Sequence, residues 1–268
     1  MSIPLLFPEI YHKQLESGVT KPSLLTCKDK DGNRKGEYVV KLRANISFGV
    51  TSLAFELIAS NIALCLDIPT PEAVLIEIDE NFASSIKEEE ISKSFISSLG
   101  LNFGNKYLKG YSTWTRGMSL SSFQSQLACE IFAFDALIQN PDRSLVHNKP
   151  NVLTKNEEII IIDHEKAFSF LFPLIGKRKM NAWEISEETF VKNHLFYSEL
   201  KKSSKRDIID FDYIKNKIER LSTNKLDSII DSLPTEWKND YTSKIRIHLE
   251  EIVNYSDKFI YELKKTLL

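Results

Sequence analysis

The chain has little that would suit a nucleic acid, a membrane or an oxidising compartment. Its 268 residues hold 35 Lys and Arg against 37 Asp and Glu, a formal net charge of −2. With no basic excess to neutralise phosphates, direct nucleic-acid binding is not expected. The nearest local basic run, Lys177-Arg178-Lys179, reads as a solvated loop. Cysteine is scarce: Cys27, Cys65 and Cys129 are scattered, odd in number and without Cys-x-x-Cys spacing. That excludes a disulfide framework and fits a reduced compartment. The five histidines lack ligand spacing, which argues against a zinc centre. No apolar run approaches the length of a membrane span. The opening Met-Ser-Ile-Pro-Leu-Leu-Phe-Pro lacks the basic start and apolar core of a signal peptide, so the expected location is the cytoplasm. A Gly-x-Ser-x-Gly nucleophile motif, internal repeats and low-complexity tracts are also missing.

What the chain does have is enough apolar material, 42% of its residues, for one large domain or two modest lobes. Residues 1–22, with three prolines, read as an irregular lead-in or a short strand. Leu24 and Leu25 begin a strand that breaks at Asp29-Lys30-Asp31-Gly32-Asn33, a hairpin signal. The chain returns as Glu37-Tyr38-Val39-Val40-Lys41-Leu42-Arg43. From Val50 to Leu66 the apolar spacing is helical, with Glu56 the only acid inside, and Pro69 and Pro71 end it. A strand over 73–78, a charged surface helix over 83–99 and a strand over 102–108 follow. The strongest helix spans about Ser119 to Gln139, where Leu120, Phe123, Leu127, Ile131, Phe134 and Ile138 form one stripe. Residues 165–182 read as irregular, and from about 187 onward the chain is helical, with Pro234 separating two blocks. The outline is an α+β protein with a strand-rich lobe over 1–112 and a helical lobe over 113–268.

The chemistry concentrates where that long helix ends. Asn140-Pro141-Asp142-Arg143 leads to Asn151-Val152-Leu153, and Ile159-Ile160-Ile161-Ile162 then delivers Asp163-His164. Two acids and neighbouring asparagines, each beside an apolar run, suit a divalent metal and a phosphate. Phosphoryl transfer needs a cation on phosphate, a metal bridging its oxygens and a carboxylate for the attacking hydroxyl. Asp163 offers a metal ligand, an asparagine before Val152 a neutral one, and Asp142 is left to accept a proton. Lys41 and Glu56 could pair so that the ammonium faces phosphate. Taken singly, Asp142 is an ordinary turn residue and Asp163 a strand-ending cap; their spacing together favours a site. Asp135 either hydrogen-bonds this loop or faces outward. His164 reads as a structural neighbour of Asp163 and not as a base. Trp183, His194 and Tyr197 belong either to a substrate groove or, as the safer reading, to aromatic packing.

These motifs, in this order, resemble the HipA-like kinases, and in particular a compact branch that keeps the kinase core. Glu37-Tyr38-Val39-Val40-Lys41, the Leu66-x-Ile68-Pro69-Thr70-Pro71-Glu72 turn and Leu233-Pro234-Thr235-Glu236-Trp237 support the likeness, which extends over roughly 20–240. The resemblance implies a bilobed protein-kinase-like fold that binds ATP and Mg2+. It implies Lys41 on the α/β-phosphates and Glu56 holding Lys41. Asp142 would be the catalytic base, Arg143 would fix the catalytic loop, and Asp163 would bind magnesium. It further implies a Ser or Thr hydroxyl on a protein as acceptor, autophosphorylation included, and by analogy a small antitoxin-like partner.

Two departures bear on that expectation. Kinases usually place the metal-binding asparagine five residues after the catalytic aspartate; here Asn148 lies six and Asn151 nine residues on. Asn151 is favoured because it directly precedes the strand, with Asn148 the other candidate. No Gly-x-Gly-x-x-Gly or Gly-x-x-x-x-Gly-Lys-Ser/Thr is present, leaving the 26–36 hairpin or Ser17-Gly18-Val19-Thr20 to cover phosphate. The rival readings are a pseudokinase acting as a binding module, a small-molecule kinase and, third, a metal nuclease.

Overall fold

The computed structural model describes residues 2–15, 20–115, 117–144, 146, 150–172, 180–185, 191–202 and 208–267. The chain forms two compact units. One comprises Met1–Ile58, Pro71–Lys109 and Asp231–Asn239; the other comprises Ala59–Thr70, Gly110–Ile230 and Asp240–Leu268.

The first unit is built on a closed five-stranded barrel of β1 (Leu5–Gln14), β2 (Ser23–Lys28), β3 (Arg34–Lys41), β4 (Ala73–Ile78) and β5 (Gly100–Lys106), in the order β1-β2-β3-β5-β4. The proline-bearing start is therefore a ten-residue strand, where an irregular lead-in or a short strand was expected. A register shift between Pro8 and Ile10 lets the strand tolerate a residue without an amide proton. Parallel pairing of Leu5 and Leu6 with Leu75 and Ile76 closes the barrel. Leu6, Leu25, Cys27, Tyr38, Val40, Val74 and Ile76 fill its interior. Gly104 is required there, because a Cβ would lie 2.9 Å from the Ile76 Cγ1 and 3.1 Å from the Val74 Cγ2.

The expected surface helix over 83–99 is two helices, α2 (Glu80–Ser85) and α3 (Glu89–Ile96). The chain turns extended at Ile86 and Glu88, and Phe95 is fully buried, edge-on to Tyr11 and Phe82. Helix α3 is thus amphipathic, with one face in the core.

In the second unit a three-stranded sheet of β6 (Ser112–Thr113), β7 (Val152–Lys155) and β8 (Glu158–Ile161) accompanies α4 (Gln124–Leu137). Helix α4 starts later than the apolar stripe suggested, and Phe123 is exposed. Every α4 residue from Ala128 onward is buried, Glu130 and Asp135 included. Helices Tyr197–Leu200, Phe211–Glu219, Thr223–Asp231, Asp240–Asn254 and Ser256–Leu267 follow. Asp210 starts Phe211–Glu219 by accepting the Tyr213 N–H at 2.8 Å. The architecture is a mixed α+β fold with a strand-rich and a helical part. No helix among the described residues is long and apolar enough to cross a membrane.

Candidate active site

The strand-rich unit holds a buried charged pair. Val40 and Lys41 end β3, whose alternation turns Val40 inward and whose pairing with β5 sets Lys41 opposite Phe103. Helix α1 (Val50–Cys65) carries Glu56, the only charged residue in its sequence. The Lys41 ammonium donates to Glu56 Oε1, with Lys41 8% and Glu56 1% exposed. Burying both charges is tolerable because each supplies the other's partner; either alone would be costly there.

The helical unit holds the second constellation, and Asp135 is its hub. This carboxylate is fully buried and accepts the Arg143 Nε–H at 2.6 Å and an Arg143 Nη2–H at 3.2 Å. It also accepts the Asn140 amide at 3.1 Å and lies 3.1 Å from the His194 Nε2. Burial pushes its pKa up, but the Arg143 charge and the His194 contact outweigh that and hold it below the usual carboxylate range. His194 is held below the usual histidine range, chiefly by burial and against the pull of Asp135, so the imidazole is neutral near pH 7. Arg143, 1% exposed, spends its remaining donors on the loop: Nη1 reaches the Asn151 carbonyl at 2.5 Å and the Ile162 carbonyl at 3.2 Å. Its Nη2 lies 3.2 Å from the His164 Nδ1.

This stitching pins the two ends of the β7–β8 hairpin. Asn151 precedes β7, and Ile162 N–H donates to the Asn151 carbonyl at 3.0 Å. Asn151 and Asp163 both take left-handed backbone angles, φ +55° and +59°. Such residues cost on the order of 1–3 kcal/mol each and persist where the surroundings over-determine them, as the Arg143 network does at Asn151. The Asn151 amide donates to Asp142 Oδ2 at 2.9 Å, while Asn140 Oδ1 accepts the Asp142 N–H at 3.2 Å. Asp142, Asn151 and Asp163 are each partly exposed, in contrast to the sealed Asp135–Arg143 pair beneath them.

The structure thus brings Lys41 to Glu56, and Asp142, Arg143 and Asn151 into one network, with Asp163 one residue beyond an Arg143 acceptor. Asn148 lies outside the described residues. So do Lys177-Arg178-Lys179 and Ser17-Gly18-Val19. At the 29–33 turn the Asp29 carboxylate already takes the Asp31 and Asn33 N–H groups at 3.0 and 2.9 Å. Those two donors are therefore not available to phosphate. Asp135 hydrogen-bonds the loop and does not face out. His194 packs edge-on to Phe132, Tyr197 stacks on the same ring, and Trp183 tilts against Tyr255.

Sequence reasoning missed His194 as a partner of Asp135; a lone histidine 59 residues downstream carries no periodic signal. It also passed over Glu165, whose carboxylate comes within 4.8 Å of that of Asp163. An acid two positions past the strand-ending Asp163 was the available hint. These oxygen donors suit a hard divalent cation better than zinc.

The family model described as HipA-like kinase matches residues 8–259. A proinflammatory kinase of Helicobacter pylori, CtkA, has a similar fold, with a TM-score of 0.54 at 15% identity, covering 99% of this chain and 98% of its own. No curated protein matches the chain. On the extent of the family match, the chain belongs to the HipA-like kinases.

Proposed function

We propose that this kinase is bilobed, the strand-rich lobe drawn mainly from residues 1–112 together with 231–239 and the helical lobe from most of 113–268. In this reading it uses ATP and Mg2+ to phosphorylate a Ser or Thr hydroxyl of a protein, its own chain included. The observation that carries the reading is the Asn151–Asp142 hydrogen bond of 2.9 Å. It brings the candidate base and the candidate metal-binding asparagine together despite the nine residues between them.

The donor set fits the metal. With its amide nitrogen on Asp142, Asn151 keeps its side-chain oxygen for a cation, and Asp163 adds a carboxylate, an all-oxygen set of the kind magnesium takes. Magnesium when bound would neutralise charge on the phosphates. Lys41, held by Glu56, contacts the α/β-phosphates. Asp142 accepts the proton of the acceptor hydroxyl, and Arg143 keeps its loop in place. The chain acts in the cytoplasm, with a small antitoxin-like protein as its partner.

The test is a thermal shift with ATP and magnesium on the wild type and on Asp163→Ala, followed by radiolabel transfer to Ser/Thr substrates. A magnesium-dependent stabilisation that disappears in Asp163→Ala supports the reading, because ligand binding only the native state raises the midpoint by mass action. No shift in the wild type overturns it and leaves a binding module in its place.

A further inference from the structure

The Leu233–Trp237 stretch lies far along the sequence, yet it belongs to the strand-rich unit. After Pro234 the chain makes one 3-10 turn, Thr235–Trp237, closed by Trp237 N–H on the Pro234 carbonyl at 2.9 Å. The Trp237 side chain is fully buried and anchors the turn. Two polar side chains extend from that anchor to the two elements bearing the buried Lys41–Glu56 pair. Glu236 Oε1 accepts the Arg43 Nη1–H at 3.2 Å, and Arg43 stands two residues beyond Lys41. Asn239 Nδ2 donates to the Thr51 Oγ1 at 3.1 Å, in the first turn of α1 and five residues before Glu56.

Arg43 is aimed at Glu236 by its own surroundings. Its backbone N–H donates to Asn102 Oδ1 at 2.8 Å, and Asn102 is fixed in turn by donating to the Ser98 and Gly100 carbonyls. Its guanidinium also reaches the Leu99 carbonyl at 3.4 Å. Gly100, at φ +91°, leaves the space this needs, since a Cβ there would lie 3.2 Å from Arg43 Nη1. Asn102 thus fixes the Arg43 backbone, while the Leu99 carbonyl and the room left at Gly100 restrict where its guanidinium can lie.

We propose that Glu236 and Asn239 form a clip that positions the Lys41–Glu56 pair by holding the strand end through Arg43 and the helix start through Thr51. The proposal rests on the kinase reading for its catalytic consequence. Its structural part, the restraint on α1, stands independently of ATP. The Arg43 and Glu236 side chains are 26% and 47% exposed, so their ion pair contributes little to global stability. Alignment in a phosphoryl-transfer site is far more sensitive, a misplacement of about 1 Å costing up to about a hundredfold in rate. Stability and turnover should therefore separate when the clip is cut.

The experiment compares wild type, Glu236→Gln, Asn239→Ala and the swapped pair Arg43→Glu/Glu236→Arg. Three readouts are taken: melting temperature, hydrogen exchange over residues 50–58 without ligand, and the ATP dependence of phosphoryl transfer. The expected result for both single variants is a melting point within about 4 °C of wild type. It is accompanied by faster exchange at the start of α1 and a loss of about tenfold or more in kcat/KM for ATP. The swapped pair should recover part of the Glu236→Gln loss. Wild-type exchange in the single variants overturns the clip whether or not the protein turns over. A wild type without transfer activity overturns the kinase reading and leaves the exchange result to decide the clip. Normal kcat/KM in the variants of an active enzyme refutes the positioning role, as does a rate loss matched by a general loss of stability.

Discussion

Replacing Arg143 with methionine keeps a long side chain in the α4–loop interior but strips five hydrogen-bond contacts from it. Two of these hold Asp135, two hold the Asn151 and Ile162 carbonyls, and one meets His164. The dominant cost is Asp135, a fully buried carboxylate left without its cation. Breaking one side of such a pair costs about 3–5 kcal/mol, against a typical total stability of about 5–15 kcal/mol. For a chain of this size that is a fall in melting temperature of about 6–20 °C. The deficit should also depend on pH. In the wild type the depressed Asp135 pKa contributes stability that is fully present above the unfolded carboxylate range and is lost only as pH falls from there through the lower folded value, so it is constant between pH 8 and pH 5. In the variant burial dominates, so the folded-state pKa rises and protonating the Asp135–His194 pair relieves the penalty. The gap between wild type and Arg143→Met should narrow from pH 8 to pH 5. Urea unfolding across that range measures it. A deficit under about 1 kcal/mol, or one that does not change with pH, would refute Arg143 as the counter-ion on which the loop depends.

Asp142→Asn preserves shape and leaves an oxygen for the Asn151 amide. It should leave the melting point near wild type while phosphoryl transfer falls by about 10²–10⁴-fold, the usual weight of a catalytic base. An active Asp142→Asn protein would remove Asp142 from that role. His248 stacks on Phe170 at 4.0 Å and lies 3.1 Å from the Leu137 carbonyl, and burial pushes its pKa down to about 4. The unfolded histidine takes up a proton near 6.5 and the folded one only near 4. Wild type should therefore lose about 3 kcal/mol relative to His248→Gln as pH drops through that window. Parallel pH profiles for the two proteins would contradict the burial argument. Gly104→Ala forces a methyl group against Ile76 and Val74 inside the barrel and should destabilise by about 1–3 kcal/mol in chemical denaturation. No measurable change would mean that the barrel relaxes there at little cost.

The β2–β3 hairpin, α1 and β4 were legible because their signals are local. The Asp29–Asn33 turn, the alternation into Lys41 and the spacing from Leu53 to Leu64 each act over a few residues, and the elements appear there. The β4 strand matches its expected span, Ala73–Ile78. Signals that depend on a distant partner failed. The first strand looked irregular because its proline, Pro8, is tolerable only where β2 supplies a shifted register and β4 the closing edge. The surface helix over 83–99 looked uniform because nothing nearby reveals that Phe95 is destined for Tyr11 and Phe82.

At the site, the sequence by itself determined the residue types: two acids after apolar runs, an asparagine before a strand, and a lysine and a glutamate on successive elements. Those are choices of chemistry, and side-chain identity carries them. Only the tertiary structure decided that Asn151 meets Asp142 across nine positions, because the intervening chain can close that distance in many ways. It also decided that Asp135 faces inward, since α4 is buried on nearly all sides and its amphipathic pattern points nowhere in particular. The partners of that carboxylate, Arg143 and His194, lie 8 and 59 residues away. A buried charge takes its orientation from whichever counter-charge the fold brings to it, and that pairing is a property of the packed chain.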